Sequence, residues 1–173
     1  MMSRTQLITR MAVLVALGFS LSFFLVIPVF GSKVFPAQHL VGVVAAVTVG
    51  PWYGVLVGLM IALLRIGAGT ATILAIPGSI FGVLVGGLLY RATRSRVAVM
   101  AGEVFGTGVL GALAAYPVAV FLQGSTAAAA GGITYFMSSW TASSLAGAIL
   151  GGAVLSVLEG VLPELKAART QKG

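Results

Sequence analysis

Cysteine is absent, histidine occurs once, and only three side chains, Glu103, Glu159 and Glu164, are acidic. The first absence excludes disulfides, thiolate metal ligands and thiol catalysis. The scarcity of acids and imidazoles leaves no base pair or ligand set from which to build an enzyme, and His39 alone cannot hold a metal. No Gly-x-x-x-x-Gly-Lys-Ser/Thr loop is present, so the chain is not itself a P-loop ATPase. Charge of either sign makes up 8% of the residues, against roughly 25% in soluble proteins. Val34–Leu64, Ile66–Tyr90 and Val104–Leu158 contain no Lys, Arg, Asp or Glu at all.

Apolar side chains fill the space: 59% of residues are hydrophobic and the mean hydropathy is +1.12. A hydrocarbon core needs only about 20 such residues per helix, so the composition is that of an integral membrane protein. A pI of 10.6 and a net charge of +7 would suggest nucleic acid for a soluble protein. Here the basic residues flank apolar runs, where they act as orientation signals, and no nucleic-acid partner is expected. The length of 173 residues allows one compact bundle, residues 1–173, with no attached soluble domain.

The basic residues set the topology. Arg4 and Arg10 near one end, and Lys166, Arg169 and Lys172 near the other, put both termini in the cytoplasm by the positive-inside rule. The number of crossings is then even. Arg91, Arg94 and Arg96 also belong inside, which requires Val34–Leu64 to cross twice, turning at Gly50-Pro51. The expected fold is an all-α bundle of six transmembrane helices near residues 7–27, 35–50, 52–68, 71–90, 97–122 and 135–162. Only Lys33 and Arg65 fall outside. The second and third helices share 31 residues, about 22 Å each, short enough to need flanking residues or shelter inside the bundle. The first helix could be misread as a signal peptide, but no Ala-x-Ala site follows and it is expected to be retained.

Small residues recur four apart at Ala12/Ala16, Gly54/Gly58, Gly78/Gly82/Gly86, Gly102/Gly106 and Gly147/Gly151. In lipid this spacing lets helices approach closely, and it reads as internal packing for all but Ala12/Ala16, which a first helix at the bundle edge can offer to another protein. Glu159 and Glu164 read as interface residues. Glu103, seven residues past Arg96, is expected to pair with the arginine cluster or to serve as a buried latch or proton site. The outer half gathers Lys33, Gln38, His39, Arg65, Thr70, Thr72, Tyr116, Gln123, Tyr135, Ser138, Ser139, Trp140, Thr141 and Ser143 at one level. Aromatic walls with a few hydrogen-bonding groups are what a small-molecule site needs. His39 reads equally as a ligand contact or a structural histidine, and Trp140 equally as pocket wall or interfacial belt, whereas Trp52, Tyr53 and Tyr90 read as belt.

Ala12-Val-Leu-Val-Ala16 on the first helix, and Gly50-Pro-Trp-Tyr-Gly54-Val-Leu-Val-Gly58 opening the third, resemble the substrate-binding S components of energy-coupling factor (ECF) vitamin transporters. Within that group, Lys33-Val-Phe-Pro-Ala-Gln-His39, Leu64-Arg65 with Gly69-Thr70, Pro77-Gly78-Ser79, and Gly102-Glu103 with Gly106-Thr107-Gly108 resemble the ThiW family. The resemblance covers Arg10 to about Leu162. One departure is Met60-Ile-Ala-Leu-Leu-Arg65, where many S components carry an Asp, so no role for that Asp carries over.

The resemblance implies a high-affinity capture component in the prokaryotic plasma membrane. It would dock by Ala12 and Ala16 onto the transmembrane coupling protein EcfT, with two cytoplasmic ATPase subunits supplying energy. It implies hydroxyethylthiazole, a thiamine precursor, as ligand, no cofactor and no metal. Gln38, His39, Arg65, Tyr116, Tyr135, Ser139 and Trp140 are the expected binding residues. With no carboxylate expected in the outer half, cationic thiamine itself is disfavoured. Another vitamin precursor, a thiazole phosphate held by Lys33 and Arg65, or a stand-alone proton-coupled carrier using Glu103 are the alternatives.

Overall fold

The computed structural model describes residues 2–29 and 32–161. Lys33 falls in a short strand with its side chain outside the description, and Leu162, Glu164, Lys166, Arg169 and Lys172 lie outside the described residues. Helix α1 (Arg4–Leu21) opens on a reciprocal cap in which Ser3 Oγ accepts from Gln6 N–H and Gln6 Oε1 accepts from Ser3 N–H. It ends six residues before the boundary expected near Ile27. Ser22 turns its hydroxyl back onto Phe19 O at 2.6 Å, and the β-branched Val26, Ile27 and Val29 favour extended backbone. A two-stranded hairpin follows, β1 (Ile27–Val29) antiparallel to β2 (Ser32–Val34), with Ile27 opposite Val34. Among the described residues these strands are the one addition to an otherwise helical architecture.

Proline starts the next two helices, α2 (Pro36–Thr48) and α3 (Pro51–Gly67), at positions where its missing N–H is not needed. Gly50 between them has φ +86°, a left-handed conformation that glycine adopts without strain, and so makes the turn expected at Gly50-Pro51. After α4 (Ala75–Thr93), Arg94 in the left-handed region and the Ser95 side chain, accepting from Ala98 N–H, reverse the chain into α5 (Arg96–Phe105). The rod continues through a wide π-helical stretch at Gly106–Gly111, α6 (Ala112–Pro117) and a second π stretch at Val118–Leu122. Last comes α7 (Thr126–Val161), bent at Gly132, whose φ is +65°. Its first turns occupy residues expected to be loop, because Ala127–Ala130 favours helix strongly enough to start it early.

Among the described residues three helices are long and apolar enough to cross a membrane: Ala75–Thr93, Arg96–Leu122 and Ala128–Val161; Pro36–Thr48 and Pro51–Gly67 are shorter apolar helices. The shorter of these two, α2, is the centre of the molecule. It touches α1, α3, α4, α5 and α7, and every residue from Val41 to Ala46 is buried. The outward faces are apolar, with Phe24, Phe121 and Leu122 about four-fifths exposed, a surface suited to lipid.

Small residues make the tight crossings. A methyl group on Gly102 would lie 2.6 Å from Gly86 Cα, and one on Gly58 would lie 2.7 Å from Ser79 O. Gly54, Gly147 and Gly151 are likewise packed against neighbouring helices, while Ala12 and Ala16 remain on an exposed face of α1. At Gly82 the space a side chain would take is filled by the Glu103 carboxyl and the Thr107 hydroxyl. Gly82→Ala should therefore destabilise the protein by about 1–3 kcal/mol, as overpacked cores do. Gly67→Ala, with nothing within 4 Å of the added methyl, should be neutral or stabilising by up to about 1 kcal/mol. Thermal unfolding of the two variants in detergent checks the pair, and equal melting temperatures would contradict this packing.

Candidate functional site

A cavity of about 560 Å³ opens where α2 and α4 begin, α3 ends and α7 bends. The Arg91–Arg96 cluster lies at the other end of α4. Its walls combine Phe35, Tyr135, Phe136 and Trp140 with the polar side chains of Gln38, His39, Arg65, Thr70, Ser139 and Ser143. Along α7, Phe136, Ser139, Trp140 and Ser143 follow the i, i+3, i+4, i+7 spacing of one helical face, so one stripe supplies both stacking surface and hydroxyls. Phe136 and Trp140 stand 5.2 Å apart between ring centroids. The indole lies against Gly78 and Gly111, where methyl groups would come within 3.0 and 3.2 Å of its ring. Glycine at these positions makes room for a flat aromatic wall.

The first turn of α2 joins the cavity to the bundle. Gln38 Oε1 accepts from Arg65 Nη1 at 2.6 Å, and Thr70 O accepts from Nη2 at 3.4 Å. The Phe35 ring covers the guanidinium, 4.2 Å from centroid to Cζ, a cation–π contact that offsets part of the loss of water. Arg65 is only 2% exposed, and among the described residues its Nε has no hydrogen-bond partner and its side chain makes no ion pair. The next residue, His39, places Nδ1 2.9 Å from Glu103 Oε1. Thr107 Oγ1 lies 3.3 Å from the same oxygen and 3.2 Å from Gly78 O. Phe35 N–H donates to Ser143 Oγ at 3.1 Å, tying the start of α2 to α7.

Glu103 departs from the expected pairing with the arginine cluster and takes the buried position that was its alternative. Seven residues past Arg96 it has risen about 10 Å along the helix, and it is 1% exposed, facing Gly42, Gly82 and His39. Arg96 instead meets Glu159, with Nε 3.5 Å from Oε1, and bonds Ser156. A carboxylate therefore reaches the cavity wall through the histidine.

Of the residues singled out in the sequence, Gln38, His39, Arg65, Tyr135, Ser139 and Trp140 line one cavity. Tyr116 does not. It stands behind the wall, its ring 6.0 Å from that of Phe136 in an edge-on contact. Gln123 is exposed and outside the lining, whereas Thr70, Thr72 and Ser143 belong to it. Phe35 and Phe136 were missed. The helical stripe 136, 139, 140, 143 was available as a signal for Phe136; the stacking of Phe35 on Arg65 depends on the turn before α2 and had none. Trp140 belongs to the cavity, while Trp52 and Tyr53 are exposed on the outer face of α3. Among the described residues no group of three or more His, Cys, Asp or Glu could hold a metal ion.

No curated protein matches the chain. The family model described as thiamine-precursor transporter protein (ThiW) matches residues 8–161, which takes in every helix around the cavity. Apolar helices long enough to cross a membrane and a cavity lined by aromatic rings and hydroxyls agree with that match, and the chain belongs to the ThiW family of thiamine-precursor transporters, membrane proteins that carry a small molecule rather than transform one.

Proposed function

We propose that the protein is the substrate-capture component of an ECF-type importer and that its cavity binds hydroxyethylthiazole. The observation that carries this reading is the cavity itself. Its volume of about 560 Å³ falls within the usual range of roughly 300–1,000 Å³ for small-molecule sites. Its flat aromatic wall at Trp140 and Phe136 suits a single aromatic ring, and the polar groups of Gln38, His39 and Ser139 suit a hydroxyethyl arm. In this reading the protein crosses the cell membrane six times, with both termini cytoplasmic and the cavity toward the outside.

The charges favour a neutral ligand over thiamine. The wall carries buried Arg65, and the nearest carboxylate, Glu103, is engaged with His39. A fixed cation would lose its hydration beside another cation. Hydroxyethylthiazole should bind at least about tenfold more tightly than thiamine, a difference of 1.4 kcal/mol. Trp140→Ala should weaken thiazole binding by roughly tenfold or more through lost stacking and burial, whereas Trp52→Ala, on the exposed face of α3, should leave it unchanged. Calorimetry on the purified protein in detergent checks all three expectations; thiamine binding as tight as that of the thiazole would count against the assignment.

Energy must come from elsewhere, since the sequence has no phosphate-binding loop. The exposed Ala12 and Ala16 on α1 allow close approach of a helix from a transmembrane coupling protein, to which two cytoplasmic ATPase subunits attach. Ala12→Trp or Ala16→Trp should abolish copurification with the coupling protein while ligand affinity stays within about twofold, because neither residue nears the cavity. Reconstituted alone in liposomes, the protein should bind hydroxyethylthiazole without accumulating it. Accumulation driven by a proton gradient, and lost in Glu103→Gln, would make it a stand-alone carrier instead.

A further inference from the structure

Glu103 is a buried carboxylate that reaches the cavity only through another side chain, since it does not line the cavity itself. Two other helices make room for it. Gly42 of α2 and Gly82 of α4 present bare backbone to the carboxyl group, and a methyl on Gly42 would come within 3.2 Å of Oε2. Its strongest contact is His39 Nδ1, and His39 does line the cavity. With Nδ1 spent on the carboxylate, the other ring nitrogen, Nε2, makes no hydrogen bond among the described residues.

We propose that Glu103 is a specificity-determining positioning residue: it holds neutral His39 as the Nδ1–H tautomer, so that Nε2 presents a hydrogen-bond acceptor to the cavity and selects a ligand that donates a hydroxyl proton. Two observations fix the direction. Arg65 is buried beside Gln38, adjacent to His39 in α2, with no carboxylate of its own among the described residues. A neutral imidazole bonded to an ionised carboxylate gives the cavity wall one negative charge to balance that cation, whereas a doubly protonated imidazole, or a protonated Glu103, leaves an uncompensated positive charge in a medium where this is unfavourable. Among the described residues Glu103 Oε2 has no hydrogen-bond partner, so a proton on it would be a buried donor with nothing to receive it, a rarer and costlier arrangement than an under-used acceptor, and a proton on Oε1 donated to His39 Nδ1 would leave the Arg65 charge uncompensated. A carboxylate behind a histidine fixing its tautomer is the same physical device that orients imidazole ligands elsewhere.

This inference rests on the proposal that hydroxyethylthiazole is the ligand, and the test separates the two. His39 is the single histidine, so 15N labelling of histidine in the full-length protein yields the signals of this one ring. The wild type should show a protonated Nδ1 and an unprotonated Nε2, and Glu103→Gln, whose amide can either accept from Nδ1–H or donate to Nδ1, should show a mixture of tautomers. Calorimetry with hydroxyethylthiazole and its O-methyl ether reads the consequence. The ether, an acceptor without a donor, should bind the wild type about tenfold more weakly than the alcohol, and this discrimination should shrink to about twofold in Glu103→Gln. A protonated Nε2 in the wild type overturns the inference, as does an ether that binds wild type as tightly as the alcohol. Failure of the alcohol to bind at all overturns the ligand assignment, and the nitrogen signals then still decide the tautomer.

Discussion

Placing one carboxylate in the interior of an apolar helical bundle constrains everything around it. Glu103 must give up water, and an unpaired buried charge is among the least favourable arrangements a protein can adopt. The remedy draws on three helices. Gly42 and Gly82 leave the volume, His39 supplies the partner, and Thr107 lies beside the same oxygen. Because α2, α4 and α5 converge on this group, their relative heights follow from it. That alignment brings the beginnings of α2 and α4 to the same level and leaves the cavity above them.

The second structural element is a flat aromatic wall. The face of α7 bearing Phe136, Ser139, Trp140 and Ser143 supplies it, and Gly78 and Gly111 let the indole lie close to α4 and the π-helical stretch after α5. Widened turns of this kind appear mostly as single-turn insertions in α-helices and often at functional sites. Here the first follows Glu103 and contains Thr107, so a departure from regular helix falls beside the buried pair. The bend at Gly132 then carries the first turns of α7 across the top, where Ala128 joins the lining.

The helices were legible in the sequence because long charge-free runs leave few alternatives and because Gly50-Pro51 and Arg94-Ser95 mark turns by local chemistry. Ala12 and Ala16 were separable from the packing glycines by position alone, being on the first helix. Six of the seven expected binding residues line one cavity; Tyr116 was misplaced because level along a helix could be read but direction around it could not once π-helical turns interrupted the 3.6-residue period. The end of α1 was missed for a related reason: apolar composition continues through Val26 and Ile27 even though the backbone becomes extended. Glu103 illustrates the deepest limit. Its spacing from Arg96 allowed both a pairing with the arginine cluster and a buried site, and only the arrangement of glycines on two other helices, distant in sequence, decides for the interior.

Neighbouring residues in the first turn of α2 divide the work of attachment: Phe35 is tied to α7, Gln38 to α3 and His39 to α5. Among the described residues the opposite side of the cavity, formed by Gly69 to Thr72 and by Ser125 and Ala128, is held by hydrogen bonds local in sequence, Thr70 with Arg65 and Ala128 N–H with Ser125 Oγ. The cavity thus has a fixed side and a replaceable one. Change on the replaceable side can alter the size or shape of the molecule admitted while the frame that positions His39 is left in place, so a new cargo could arise in this scaffold through its cover long before its floor has to be rebuilt.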